Sequence, residues 1–157
     1  MLHLRTILVP TDFSPHAEAA FQLANALARD YRAKIVLVHV VSPTTSAFVD
    51  GVMLPFPEPD IPGIRDKLSH WHDDSGVILE RVVVEGEVLE EILRVADDMG
   101  CDMIVMGTHG HGPIRKLLMG GTAQAVVRKA HCPVLTIKPN GHIPAVQPAM
   151  ASEMALV

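Results

Sequence analysis

Met103–Cys132 reads MIVMGTHGHGPIRKLLMGGTAQAVVRKAHC, and this stretch decides the fold. It begins with four apolar residues, Met103–Met106, a run of strand length. A glycine-rich loop follows, and a helical pattern begins near Thr122. Backbone N–H groups of such a loop and of a helix N-terminus attract anions, and glycine lets the main chain approach the anion closely. The stretch therefore predicts a strand, a phosphate-binding loop and a helix, in that order.

The rest of the chain alternates apolar strand patterns with amphipathic helical patterns. Strands are predicted over Arg5–Pro10, Lys34–Val41, Val77–Val84, Asp102–Met106 and Pro133–Lys138, and helices over Pro15–Tyr31, Ile64–Trp71, Val88–Met99 and Thr122–Lys129. This alternation predicts an α/β fold, a five-stranded parallel sheet with helices on both faces. In such sheets ligands bind beyond the carboxyl ends of the strands, where the glycine loop also lies.

Two segments interrupt this regular pattern. Ser42–Pro62 contains five prolines and a patch of apolar residues, and so many prolines predict a long surface segment without regular structure. From Pro139 onward the chain is rich in Pro, Ala and Met. We therefore expect one domain over residues 1–139 and a C-terminal tail over residues 140–157.

Composition excludes several classes of protein. The chain has 157 residues, 48% hydrophobic and 20% charged, which is typical of a globular domain. Its net charge is −5 and its Lys and Arg residues are dispersed, which argues against nucleic-acid binding. No apolar run approaches the ~20 residues of a membrane span. With two cysteines and no signal-peptide pattern after Met1, we expect a cytoplasmic protein.

Three motifs together resemble the universal stress protein family: Val9–Ser14 (VPTDFS), His39–Val41 (HVV) and Gly107–Gly120. The nucleotide-binding pattern of that family is Gly, two residues, Gly, nine residues, Gly, then Ser or Thr, and Gly107, Gly110 and Gly120 match its glycines. The resemblance implies the α/β fold of the adenine nucleotide alpha hydrolase-like group. It also implies a homodimer, often formed through the last strand, and a stress-response role linked to ATP with Mg²⁺ or Mn²⁺.

The resemblance assigns roles to individual residues. Asp12 and Val40 would contact adenine or ribose, with Pro10 and Thr11 shaping that wall. The main chain at Gly107, Thr108, His109 and Gly110, and again at Gly120, Gly121 and Thr122, would hold ribose and phosphates. One position departs from the pattern, because Gly121 stands where Ser or Thr is expected and the hydroxyl comes one residue later. The lost hydrogen bond to a charged group predicts ATP binding weaker by about ten- to a hundredfold.

Other interpretations of the same residues remain open. The glycines could form only a tight turn, and Asp12 could be only a turn or capping residue. The protein could instead be a nucleotide-free dimeric interaction module that recruits partners through Phe48–Phe56 and the edge of the fifth strand. No catalytic residue is evident in the predicted cradle, so any ATP hydrolysis is expected to be slow. His70–Asp74 has the residue types of a metal site, but its spacing points the side chains to different sides.

Overall fold

The computed structural model describes residues 3–43, 47–49, 52–54, 58–72, 75–109 and 119–138. Its strands are β1 (Thr6–Pro10), β2 (Lys34–Val41), β3 (Ala47–Val49), β4 (Val52–Leu54), β5 (Leu79–Glu85), β6 (Met103–Gly107) and β7 (Val134–Ile137). Its helices are α1 (Pro15–Tyr31), α2 (Ile61–Ser69), α3 (Val88–Asp98) and α4 (Gly121–Lys129). The expected tail, residues 140–157, lies outside the described residues.

Five of these strands form one parallel sheet in the order β5-β2-β1-β6-β7. Helices α1 and α2 contribute to the apolar cluster on one face, which includes Ile7 and Leu37. Helices α3 and α4 contribute to the cluster on the other face, which includes Leu8 and Val38. The predicted five-stranded parallel sheet with helices on both faces is therefore confirmed. The central strand β1 has neighbours on both sides, and its residues Ile7, Leu8 and Val9 are fully buried.

The prediction that Ser42–Pro62 lacks regular structure was wrong. Strands β3 and β4 pair antiparallel within it, and α2 begins at Ile61. The two strands lie between Pro43 and Pro55 and contain no proline, so their ladder loses no donor. Pro62 falls in the first turn of α2, where its missing N–H would have had no intrahelical acceptor. The side chains of the apolar patch, Phe48–Phe56, lie outside the described part of the chain.

Helix α1 begins as the sequence predicts, because two local features define its first turn. Ser14 is the N-cap, and its Oγ accepts a hydrogen bond from the N–H of Ala17 at 3.2 Å. Pro15 follows at the first helical position. The start of α1 is thereby held directly after β1, with the turn between them at the carboxyl end of the sheet.

Among the described residues, no helix has both the length and the apolar character needed to cross a bilayer.

Candidate functional site

A cavity of about 350 Å³ lies at the carboxyl ends of β1, β2 and β6. This volume is within the range of roughly 300–1,000 Å³ that small-molecule sites occupy. Ten of the eleven predicted site residues line it, namely Pro10, Thr11, Asp12, Val40, Gly107, Thr108, His109, Gly120, Gly121 and Thr122. The eleventh, Gly110, lies outside the described residues, as do His111 and Gly112. The structure thus brings residues from four distant parts of the sequence to one place.

Seven further residues line the cavity that the sequence analysis did not assign to the site: Ala17, Val38, His39, Val88, Ile92, Met106 and Ala123. Five of them pack in or against the apolar cluster on the face of α3 and α4, so they form a hydrophobic wall. A signal for one of them exists in the sequence. Val38 is two residues from Val40, and alternate residues of a strand face the same side.

Hydrogen bonds within the turn between β1 and α1 fix the position of Asp12. The Thr11 N–H donates to the carbonyl oxygen of Val38 at 2.8 Å, which extends the pairing of β1 with β2. Thr11 Oγ1 accepts from the N–H of Phe13 at 3.0 Å, and Asp12 Oδ1 accepts from the N–H of Ser14 at 3.0 Å. Asp12 is therefore a turn residue, as one interpretation proposed, and it also lines the cavity.

The two described glycines of the family pattern, Gly107 and Gly120, differ from Gly121, which stands at the Ser or Thr position of that pattern. A Cβ on Gly107 would lie 2.8 Å from the Cβ of His16, so this glycine lets α1 approach β6. Gly120 donates its N–H to the carbonyl oxygen of Thr108 at 2.6 Å, and a Cβ there would lie 3.1 Å from that oxygen. A Cβ on Gly121 would meet nothing within 4 Å. Close packing thus explains the first two, and nothing in the packing requires the third.

The polar side of the cavity is formed by the N-terminus of α4. Gly120 is the N-cap and has no side chain to bond the first turn. Helix geometry leaves the first N–H groups without intrahelical acceptors, and the helix dipole adds positive potential there. Among the described lining residues, Asp12 is the only carboxylate and none is Lys or Arg. An anion in this part of the cavity would therefore be held mainly by backbone groups and by Thr122.

Among the residues that the structure describes, neither a metal site nor a reactive thiol is evident near the cavity. No group of three or more His, Cys, Asp or Glu that could hold a metal ion occurs among the described residues. In the predicted His70–Asp74 run, His70 Nδ1 donates to the carbonyl oxygen of Asp66 at 2.7 Å, and Asp73 and Asp74 lie outside the described residues. Both cysteines are free thiols. Burial, together with nearby Cys132, raises the pKa of Cys101 from 9.0 to about 12, so this thiol stays neutral at physiological pH.

Comparison with known proteins decides the family. The sequence profile of the universal stress protein family matches residues 3–138. The chain belongs to the universal stress protein family. The predicted resemblance is therefore confirmed, and the alternating β and α elements are the fold of that family.

Individual relatives cover most of this universal stress protein. Universal stress protein MJ0577 of Methanocaldococcus jannaschii is 26% identical over 156 residues, which is 85% of this chain and 94% of the relative. A universal stress protein of Thermus aquaticus is 30% identical over 139 residues, which is 85% of this chain and 98% of the relative.

Two solved structures share its fold and contain nucleotides. A universal stress protein in complex with cAMP has a TM-score of 0.66 at 22% identity, covering 88% of this chain and 99% of its own. A universal stress protein of Archaeoglobus fulgidus in complex with dAMP has a TM-score of 0.63 at 22% identity, covering 88% of this chain and 100% of its own. At this level of identity the two structures establish a common fold.

Proposed function

We propose that this universal stress protein binds ATP in the cavity at the ends of β1, β2 and β6, and acts in the cytoplasm as a nucleotide-dependent regulator of the stress response. The observation that carries the proposal is the two-sided lining of the cavity. One side is the hydrophobic wall, and the N-terminus of α4 and the main chain of Gly107–His109 together form the other. A nucleotide has the same division between a flat apolar base and an anionic phosphate group. The nucleotides in two structures of the same fold support this assignment.

Different lining residues would contact the base, the ribose and the phosphates of such a ligand. Adenine would pack on Val40, and the Asp12 carboxylate would accept hydrogen bonds from the ribose hydroxyls or the adenine amino group. Two of the nearby N–H groups already have acceptors, because Thr108 donates to Ile137 and Gly120 donates to Thr108. The phosphates would therefore contact the backbone N–H groups of Gly121 and Thr122 in the first turn of α4, where the helix dipole stabilises negative charge, with the Gly107–Gly110 main chain beside the ribose. Mg²⁺ or Mn²⁺ would accompany the triphosphate and neutralise part of its charge.

Equilibrium titration with a labelled ATP analogue tests this function. Wild-type protein should bind saturably below millimolar concentration. Asp12→Asn is the matched variant, because its amide oxygen can still accept from the N–H of Ser14 while the negative charge is lost. Its affinity should fall about tenfold, since a hydrogen bond to a charged group contributes roughly 1.5–3 kcal/mol. Absence of saturable binding by the wild-type protein would refute the proposal.

Slow turnover is the expected enzymatic behaviour. Asp12 is the only carboxylate among the described lining residues, and our proposal assigns it to the base and ribose end of the ligand. A general base must lie within hydrogen-bond reach of the water that it activates. We therefore expect ATP to be held rather than rapidly hydrolysed, and multiple-turnover phosphate release measures this directly.

A homodimer formed through β7 completes the proposal. β7 is an edge strand of the sheet, and Leu135 on it and Val127 on the neighbouring α4 are exposed apolar side chains. Unpaired edges with exposed apolar residues favour pairing with another strand. Light scattering should give twice the chain mass, and Leu135→Lys should shift the protein toward monomer. A nucleotide-free interaction module predicts the same dimer but no rise in melting temperature with excess ATP.

A further inference from the structure

The imidazole of His39 contacts both neighbours of Asp12 in the sequence. Its Nδ1 lies 2.8 Å from the carbonyl oxygen of Thr11. Its ring stacks on the ring of Phe13, with centroids 4.7 Å apart and planes at 35°. A carbonyl oxygen can only accept, so Nδ1 of His39 carries the proton and donates this hydrogen bond. One side chain on β2 thus contacts both residues that flank Asp12, through the backbone of Thr11 and the side chain of Phe13.

The residue whose ring packs against His39 has a strained backbone. Phe13 has a φ of 63°, in the left-handed region that bulky residues rarely adopt. Such a conformation persists only where surrounding contacts hold it. Besides His39, the Phe13 ring meets Trp71 edge-on at 6.3 Å, and Lys67 Nζ lies 5.6 Å from the ring centroid. The conformation of the turn that carries Asp12 therefore depends on contacts made by the Phe13 ring, as well as on the hydrogen bond from Ser14 to Asp12.

His39 makes these contacts from the side of the sheet away from the hydrophobic wall. Val40 packs against the cluster on the face of α3 and α4, whereas Phe13 packs against the opposite cluster. Successive side chains of a strand point to opposite faces, so the His39 ring lies on the Phe13 side. His39 is consequently arranged to act on a ligand through the Thr11–Phe13 turn.

We propose that His39 is a positioning residue for the nucleotide site, which orients the Asp12 carboxylate by holding the Thr11 carbonyl oxygen through the Nδ1 hydrogen bond. The inference rests on the proposed function and assigns His39 a role through the Thr11–Phe13 turn, in addition to its place in the lining of the cavity. It implies that ATP affinity depends on the hydrogen bond from His39 Nδ1 to Thr11.

Two substitutions of His39 separate the contribution of its hydrogen bond to ATP affinity from the contribution of its ring. His39→Phe keeps an aromatic ring against Phe13 and removes the donor. His39→Asn loses the ring but can place an amide N–H where Nδ1 stands. ATP affinity should fall about fivefold in His39→Phe, as expected for loss of one neutral hydrogen bond, and remain within about twofold of wild type in His39→Asn. Equal affinity of the Phe variant and wild type, or a larger loss in Asn than in Phe, would overturn the proposal.

A double-mutant cycle with Asp12→Asn tests whether His39 acts through Asp12. If it does, His39→Phe should have little further effect on affinity once the carboxylate is gone. A purely structural role would lower the melting temperature of every variant and leave the affinity losses additive, which would contradict the proposal.

A measurement on the wild-type protein keeps the test independent of how the variants fold. Imidazole ¹⁵N resonances should show a protonated Nδ1 in His39, and a ring protonated only at Nε2 would refute the hydrogen bond. Failure of the proposed function is a separate outcome. It would appear as absence of ATP binding by wild-type protein, whereas failure of this inference leaves wild-type binding intact and His39→Phe equal to it.

Discussion

A Cβ atom added to Gly107 would lie 2.8 Å from the Cβ of His16, the second residue of α1. Real Cβ atoms essentially never come so close to a neighbour. The first glycine of the nucleotide-binding pattern is therefore required by the packing of α1 against β6, whether or not a ligand is bound. Gly121, at the other end of the loop, has no such neighbour within 4 Å. The two positions should respond differently to the same substitution.

Gly107→Ala should destabilise the fold. The added methyl group must displace the start of α1, and inserting a methyl group into a well-packed region costs about 1–3 kcal/mol. Urea denaturation measures the free energy of unfolding. Gly121→Ala is the matched control, and it should cost nothing or stabilise the helix by about 0.5–1 kcal/mol. A Gly107→Ala protein as stable as the Gly121→Ala protein would show that α1 can move freely away from β6.

Gly121→Ser should strengthen ATP binding. The substitution restores a hydroxyl at the position where the family pattern has Ser or Thr, and the structure leaves open space for it. A hydrogen bond from that hydroxyl to a phosphate should raise affinity about tenfold. Isothermal titration calorimetry compares wild type, Gly121→Ser and Gly121→Ala. If serine and alanine have the same affinity, the hydroxyl contacts no phosphate.

Ser14→Ala should separate stability from binding. It removes the Oγ that caps the N–H of Ala17, and loss of such a cap costs about 1 kcal/mol. Asp12 should be little affected, because Asp12 Oδ1 bonds to the backbone N–H of Ser14, which alanine retains. Thermal unfolding and ATP titration give the two quantities. Ser14→Gly serves as a control that should lose only a few tenths of a kcal/mol. A large loss of affinity in Ser14→Ala would mean that the cap also orients Asp12.

Stability should decrease at alkaline pH because of Cys101. An unfolded thiol ionises near pH 9.0, whereas burial raises the folded-state pKa of Cys101 to about 12. Between these values the unfolded chain has released a proton that the folded chain retains, so the free energy of unfolding falls as pH rises. The slope from this group approaches about 1.4 kcal/mol per pH unit. Urea denaturation at several alkaline pH values should give a shallower slope for Cys101→Ala, and an identical slope would contradict the assignment.

Strand prediction succeeded where burial alone decides the pattern. β2 was predicted at Lys34–Val41 and observed there, because it is flanked by β1 and β5 and Ile35–Val38 are fully buried. β5 was predicted to begin two residues early, at Val77. Ile78 is apolar but 71% exposed, so hydrophobicity extended the pattern past the end of the ladder. In Ser42–Pro62 the number of prolines was given more weight than their positions, which allow β3, β4 and α2.

Ten of the seventeen described residues that line the cavity were predicted from the sequence. Asp12 and Gly107 belong to recognisable motifs, which predicted that both residues line the site, but the contact of Gly107 with His16 was not predicted. Ile92 and Ala123 read only as core positions of their helices, because sequence periodicity shows which face of a helix is apolar and not which other elements it meets. His39 was noticed as part of a motif, but its contact with Thr11 depends on the register of β2 against β1.

Because of the strand order, the cavity can be completed only late in synthesis of the chain. β1 lies between β2, which follows it directly, and β6, which comes about a hundred residues later. A nascent chain released by the ribosome only as far as α3 has the Asp12 side of the cavity but lacks Gly120 and α4. On the proposed function, ligand capture should therefore begin only when the last helix emerges, and nucleotide occupancy would then distinguish a chain that includes α4 from one that does not.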